Sequence, residues 1–190
     1  MNGIIELLAL YLTSPFENAT GISYVDSIQV CRAKIMSKNK VFRDGAAKKG
    51  KSTIECLFGF KVQIIINECG GLLAVHFTQS NVDDRTPVLG LVQNIFGQLY
   101  GDKGCISKTL TKSLFKLGIN LITGIKKNMK NKLYTMMDKI PLRKRYIIET
   151  VNDQLKNISN IEHSGHRSQH NVIVSLLSGL IAYSHQSKKT

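Results

Sequence analysis

The sequence predicts an α/β protein, a mixed sheet that opens with antiparallel strands, continues through strand–helix alternation and is flanked by helices. Three observations predict it. Strand-rich runs at 21–31, 56–67 and 72–78 come first. Shorter strand-like runs, "GQLY" and "INLITGI", then alternate with helical patterns. Two further helical runs close the chain, at about 142–159 and 170–184. At 190 residues and 43% hydrophobic content, the chain is one ordinary domain, or one with a short appendage, and it can bury a real core.

In order, residues 4–12 read as a short apolar helix. "GISYVDSIQVC" (21–31) is rich in β-formers, with Tyr24, Val25, Ile28 and Val30 around a single acid, Asp26. A basic block with Gly and Ser follows and reads as an exposed insertion at about 32–53. "CLFGFKVQIIIN" (56–67) and "LLAVHFT" (72–78) form a hairpin, its turn supplied by the glycines of "ECGG". "NVDDRTPVLGLVQNIF" is expected to enter a helix with Asn81, Asp83 or Asp84 as the cap. "GQLYGDKG" is a short strand ending in a turn, and "ISKTLTKSLFKLG" is a helix stopped by Gly118. "INLITGI" (119–125) is another strand. Pro141 stands where the next helix can begin. The ribonuclease-H-like architecture has this order of elements.

Charge narrows the function. Lys and Arg number 26 against 13 acids, a net +13, which favours a polyanionic partner. Residues 32–51 hold eight Lys/Arg against Asp44, and residues 126–145 hold eight against Asp138. These two blocks account for the whole net charge and are separated by apolar runs, which suggests a shaped surface and not a disordered tail. The start, "MNGIIELLALYLTSPF", lacks the basic n-region of a signal peptide. "NVIVSLLSGLIAYS" is too short to span a bilayer, so no membrane partner is expected. Cys31, Cys56, Cys69 and Cys105 are far apart with no C-x-x-C pair, and read as reduced structural residues in a cytoplasmic protein.

Among the acids, Asp26 lies within an apolar strand, where a carboxylate is costly unless paired, hydrogen-bonded or metal-bound. Asp102 follows a strand, at the edge where α/β sheets bind ligands, although "GDKG" is also good turn chemistry. Glu149 sits on the late helix. Taking Arg145 as zero, Lys156 falls at about 20°, Glu149 at about 40° and Asn152 at about −20° on a helical wheel. Ile147, Ile148, Val151, Leu155 and Ile158 fall at about 200–300°, so the charged stripe lies opposite the core face. That stripe fits plain solvent or the wall of a basic groove. Three acids from two strands and a helix can form a hard-oxygen cage suited to Mg²⁺. Asp83 and Asp84 compete as the second acid, where capping explains them well, and the choice of Asp102 rests on strand-end geometry together with the resemblance given next. His163, His166 and His170 have metal-like spacing, while Ser164 and Gly165 argue for a loop that contacts phosphate or hydrogen-bonds.

"YVDS" (24–27), "GFKVQIIIN" (59–67), "TQSNVDDRTP" (78–87), "YGDKG" (100–104), "KKNMKNKL" (126–133) and "RKRYIIETVNDQLK" (143–156) together resemble bacterial insertion-sequence transposases of the DDE type. The C-terminal "IEHSGHRS…LLSGLIAYS" is similar to that group's "IEHSRHRS…LLAGLIAYS", and the resemblance runs from about residue 21 to 185. It implies that Asp26, Asp102 and Glu149 are a catalytic triad holding two Mg²⁺ or Mn²⁺ ions. It also implies that Arg145 and Lys156, in an R-x₃-E-x₆-K pattern, hold DNA phosphates. Lys103, Lys126, Lys127, Lys130, Arg143 and Lys144 are the accompanying DNA-binding cations, which would make binding strongly salt-dependent. The implied activity is cleavage of double-stranded DNA at element ends, then attack of the 3′-hydroxyl on target DNA. A homodimer in a synaptic complex and a DNA-associated location in the bacterial cytoplasm go with it. The sequence departs from the pattern at Leu142, where a tyrosine is frequent, at Cys105, and at Gln79–Ser80. About 25 residues precede Asp26, fewer than the family's recognition region requires. Residues 1–20 are therefore expected to be a remnant and 21–190 the catalytic domain of a truncated copy. A catalytically inactive DNA-binding remnant and a nuclease without strand transfer are the alternative readings.

Overall fold

The computed structural model describes residues 2–13, 17–31, 48–51, 56–102, 107–123, 144–159, 161 and 169–186. Among these residues six strands form one sheet: β1 (Ile22–Cys31), β2 (Lys48–Lys51), β3 (Cys56–Asn67), β4 (Leu72–Gln79), β5 (Gly97–Gly101) and β6 (Ile119–Thr123). Along it the order is β2-β3-β1-β5-β6, with β4 also on β3. The β1–β3, β2–β3 and β3–β4 pairs are antiparallel, whereas β1–β5 and β5–β6 are parallel. This is the mixed sheet that the element order predicts.

The described residues add the helices α1 (Asn2–Thr13), α2 (Val88–Leu91), α3 (Lys108–Lys116), α4 (Tyr146–Asn157) and α5 (Gln169–Ser184). The strands alternate between two cores. Tyr24, Ile28, Val62, Ile64 and Tyr100 pack with α4 and α5, joined by Leu12 of α1. Val25, Ile65, Leu99 and Leu121 pack on the other face with α2 and α3. Helices on both faces explain why the middle of β3 reads "VQIIIN", nearly continuous and apolar.

Several elements match the sequence and some differ. Helix α3 begins at Ser107, whose hydroxyl accepts from the Leu110 N–H, and ends before Gly118 at φ +78°. The stretch 48–51, expected within a basic loop, is instead a strand. Gly59 pairs with Cys31 on one side and Lys48 on the other, so β2 covers the part of β3 that β4 leaves open. Asn81, Asp83 and Asp84 cap no helix. Lys61 donates to the Val82 carbonyl (2.8 Å) and to Asp84 Oδ1 (2.9 Å), and Gln63 donates to the Asp84 carbonyl (2.9 Å). These contacts hold the segment on the sheet as turns, and α2 starts only after Pro87, with no side-chain cap. Helix α4 starts at Tyr146 and ends at Asn157, inside the expected 142–159, leaving Ile158 exposed beyond its end.

Two glycine contacts fix the end of the sheet remote from Asp102. Gly97 has φ +84°, and a Cβ there would lie 2.4 Å from the Gly21 carbonyl oxygen. That oxygen accepts from the Gln98 N–H at 2.8 Å. In the β3–β4 turn, Asn67 Oδ1 accepts from the N–H of Cys69 and of Gly71, and its Nδ2 donates to Glu17 Oε2 at 2.6 Å. The Tyr183 hydroxyl donates to the Gly70 carbonyl at 2.6 Å.

Candidate active site

Strand register brings Asp26 and Asp102 together. Tyr24 pairs with Tyr100 across the parallel β1–β5 ladder. Two residues further along each strand stand Asp26 and Asp102, on the face the tyrosines share, because side chains repeat with period two. The tyrosine rings lie beneath them, buried, with centroids 5.5 Å apart. Burial pushes the Tyr24 hydroxyl up to about 12, so it stays protonated. The repeated Y-x-D of "YVD" and "YGD" is the sequence trace of this arrangement.

Helix α4 lies against both aspartates. Its core face, Ile148, Val151 and Leu155, is buried under the sheet. Arg145 Nη1 donates to Asp102 Oδ1 at 3.0 Å, a pair in which the arginine is 26% and the aspartate 52% exposed. Asn152 Nδ2 donates to Asp26 Oδ2 at 2.9 Å, and the Ser27 N–H donates to Asp26 Oδ1 at 2.8 Å. Arg145 and Asn152 are seven residues apart, about 10 Å along the helix. Glu149 lies between them on the same stripe, exposed, and Lys156 is partly buried one turn beyond Asn152. The stripe therefore leans on the strand ends and does not face solvent alone. Sequence reading missed Asn152, since its place on the wheel gave no hint of a partner.

Burial raises the pKa of Asp26, and the charge of Asp102 adds to this. The Ser27 N–H, Arg145 and Asn152 oppose it without cancelling it. The folded state thus keeps this proton to higher pH than the unfolded chain. The stability linked to it is present below the ordinary carboxylate range and is lost as pH rises through the raised value. Asp26→Asn removes a disfavoured charge at the same shape. It is expected to raise the melting temperature in EDTA by roughly 2–4 °C at neutral pH, about 1 kcal/mol, and to flatten its acid-to-neutral dependence.

The competing acids stand elsewhere. Asp84 pairs with Lys61, which is three positions out of phase with Asp26 through its partner Gln29, and so lies on the opposite sheet face. The Arg85 side chain and N–H hold the Asp83 carboxyl down at about 2. Lys144 is exposed beside Arg145. Lys103, Lys126, Lys127, Lys130, Arg143, His163 and His166 lie outside the described residues, as does the side chain of His170. Cys69 is an exposed free thiol. No helix among the described residues is long and apolar enough to cross a membrane.

The donor chemistry fits a divalent cation: hard carboxylate oxygens at adjacent strand ends, with the Arg145 guanidinium standing as a cation against Asp102. Among the described residues no three His, Cys, Asp or Glu side chains gather closely enough to hold an ion. Arg145, not Glu149, reaches Asp102. Without a cation, a third carboxylate here would add like-charge repulsion.

A mixed sheet in this order, with helices on both faces and acids at adjacent parallel strand ends, is a ribonuclease-H-like fold. A solved structure of the piggyBac transposase synaptic complex with hairpin DNA matches 97% of this chain and 53% of its own, at 8% identity and a TM-score of 0.58. The simian T-cell lymphotropic virus intasome in complex with a PP2A regulatory subunit matches 92% of this chain and 59% of its own, at 11% identity and a TM-score of 0.46. The chain thus spans a little over half the length of these proteins. No curated protein sequence matches it. Residues 16–169 match the family described as "Transposase DDE domain", and the chain belongs to that family.

Proposed function

We propose that this chain is the catalytic part of a metal-dependent transposase that cuts double-stranded DNA at the ends of an insertion element and joins the freed 3′-hydroxyl to target DNA. Asp26, Asp102 and Glu149 would hold two Mg²⁺ or Mn²⁺ ions. When bound, such ions activate a water or a 3′-hydroxyl and stabilise the leaving oxygen of an in-line displacement. The chain's own residues orient the DNA. The Arg145 fork suits two phosphate oxygens and Lys156 supplies a point charge. Lys144, Arg143, Lys103, Lys126, Lys127 and Lys130 follow the backbone, and two copies would bring two element ends together.

The single observation that carries this reading is that one helix touches both strand-end acids, through Arg145 and Asn152, with Glu149 between the two contacts. Asp102→Asn is expected to lower Mg²⁺-dependent nicking of element-end DNA more than about 100-fold, beyond what the loss of an outer partner of a metal site costs. Unchanged cleavage would overturn the triad. Joining of a pre-cut 3′ end to plasmid DNA separates a transposase from a nuclease of the same fold. Salt-sensitive DNA binding without cleavage in either metal would identify an inactive binding remnant.

A further inference from the structure

We propose that Asn152 is a positioning residue for Asp26, holding its carboxylate ready for a divalent cation. The inference rests on the proposed role of Asp26 and Asp102 as metal ligands, and it names a residue outside that set.

Each Asp26 oxygen accepts one hydrogen bond, Oδ1 from the Ser27 N–H and Oδ2 from Asn152 Nδ2. The first comes from the aspartate's own strand and holds wherever β1 goes. The second comes from α4 and fixes the carboxylate relative to the helix that carries Glu149. An ionised carboxylate only accepts, so the amide must present its NH₂ to Asp26, which orients the whole side chain. Asn152 Oδ1 is then left buried, with no hydrogen-bond partner among the described residues. A buried acceptor without a donor is unfavourable unless function supplies one. A hydrated cation on Asp26 carries O–H donors of the required kind. Ordinary anchoring of α4 is already provided by Ile148, Val151 and Leu155, all buried, so the amide is not needed to seat the helix.

The test uses the full chain and Mn²⁺ alone, with free Mn²⁺ read by electron paramagnetic resonance and folding checked by circular dichroism. Asn152→Ala and the near-isosteric Asn152→Leu are each expected to weaken Mn²⁺ binding about 10–100-fold while remaining folded. Asp26→Asn is expected to lose that binding. If either folded Asn152 variant binds Mn²⁺ like the wild type while Asp26→Asn has lost it, the positioning role is wrong and the metal-ligand reading stands. If Asp26→Asn also binds like the wild type, the metal-ligand reading fails and this inference fails with it.

Discussion

Gly97→Ala is expected to destabilise the fold by about 3 kcal/mol or more, seen as a lower urea midpoint at unchanged slope. Two costs combine. The φ of +84° is left-handed, where a side chain is strained. The new Cβ would also stand 2.4 Å from the Gly21 carbonyl oxygen. That oxygen is backbone and already bonded to the Gln98 N–H, so no rotamer change relieves the contact. The strain falls at the start of the β1–β5 ladder, whose register carries Asp26 alongside Asp102. DNA cleavage should therefore fall further than the lost stability alone accounts for. Gly90→Ala is the control, because a Cβ there meets nothing within 4 Å. It should be neutral or stabilising by under about 1 kcal/mol.

Leu155→Ala should cost about 2–5 kcal/mol, the range for emptying a fully buried leucine site. Leu155 is 0% exposed and belongs to the core that joins α4 to the sheet and α5. In a chain of this size each kcal/mol moves the melting temperature by roughly 2–4 °C, so a fall of about 10 °C is expected. Leu155→Met keeps the volume and should lose less than about 1.5 kcal/mol. Leu155→Ala also loosens the seat of Arg145, Glu149 and Asn152, which ride on the opposite side of the helix. Melting temperature and cleavage should decline together in this variant. They should separate in Asp102→Asn, whose side chain is about half exposed.

The long elements were legible because one local signal decided each. Apolar runs bounded by glycine gave β3 and β4, and Ser107 and Gly118 bracketed α3 through capping and a left-handed backbone. Strand β2 was hidden because "KKGK" carries no β signal of its own. Its pairing follows from an unfilled edge of β3, a fact about three dimensions. The "NVDD" segment misled for a similar reason. Capping chemistry is local, but Lys61 and Gln63, some twenty residues earlier, claim Asp84 first. At the site, strand position marked Asp26 and Asp102 only as candidates, and the family resemblance supplied their choice and their grouping with Glu149. The partners could not be chosen, since Asn152 meets Asp26 across 126 residues of chain.

The β3–β4 turn has a consequence for topology. It is gripped by Glu17 from the beginning of the chain and by Tyr183 from near its end, while Tyr11 and His185 touch directly at 3.1 Å. The turn thus ties the stretch that follows α1 to the end of α5, at the end of the sheet away from Asp102, and this latch shares no residue with the hydrogen bonds of Asp26 and Asp102 to Asn152 and Arg145.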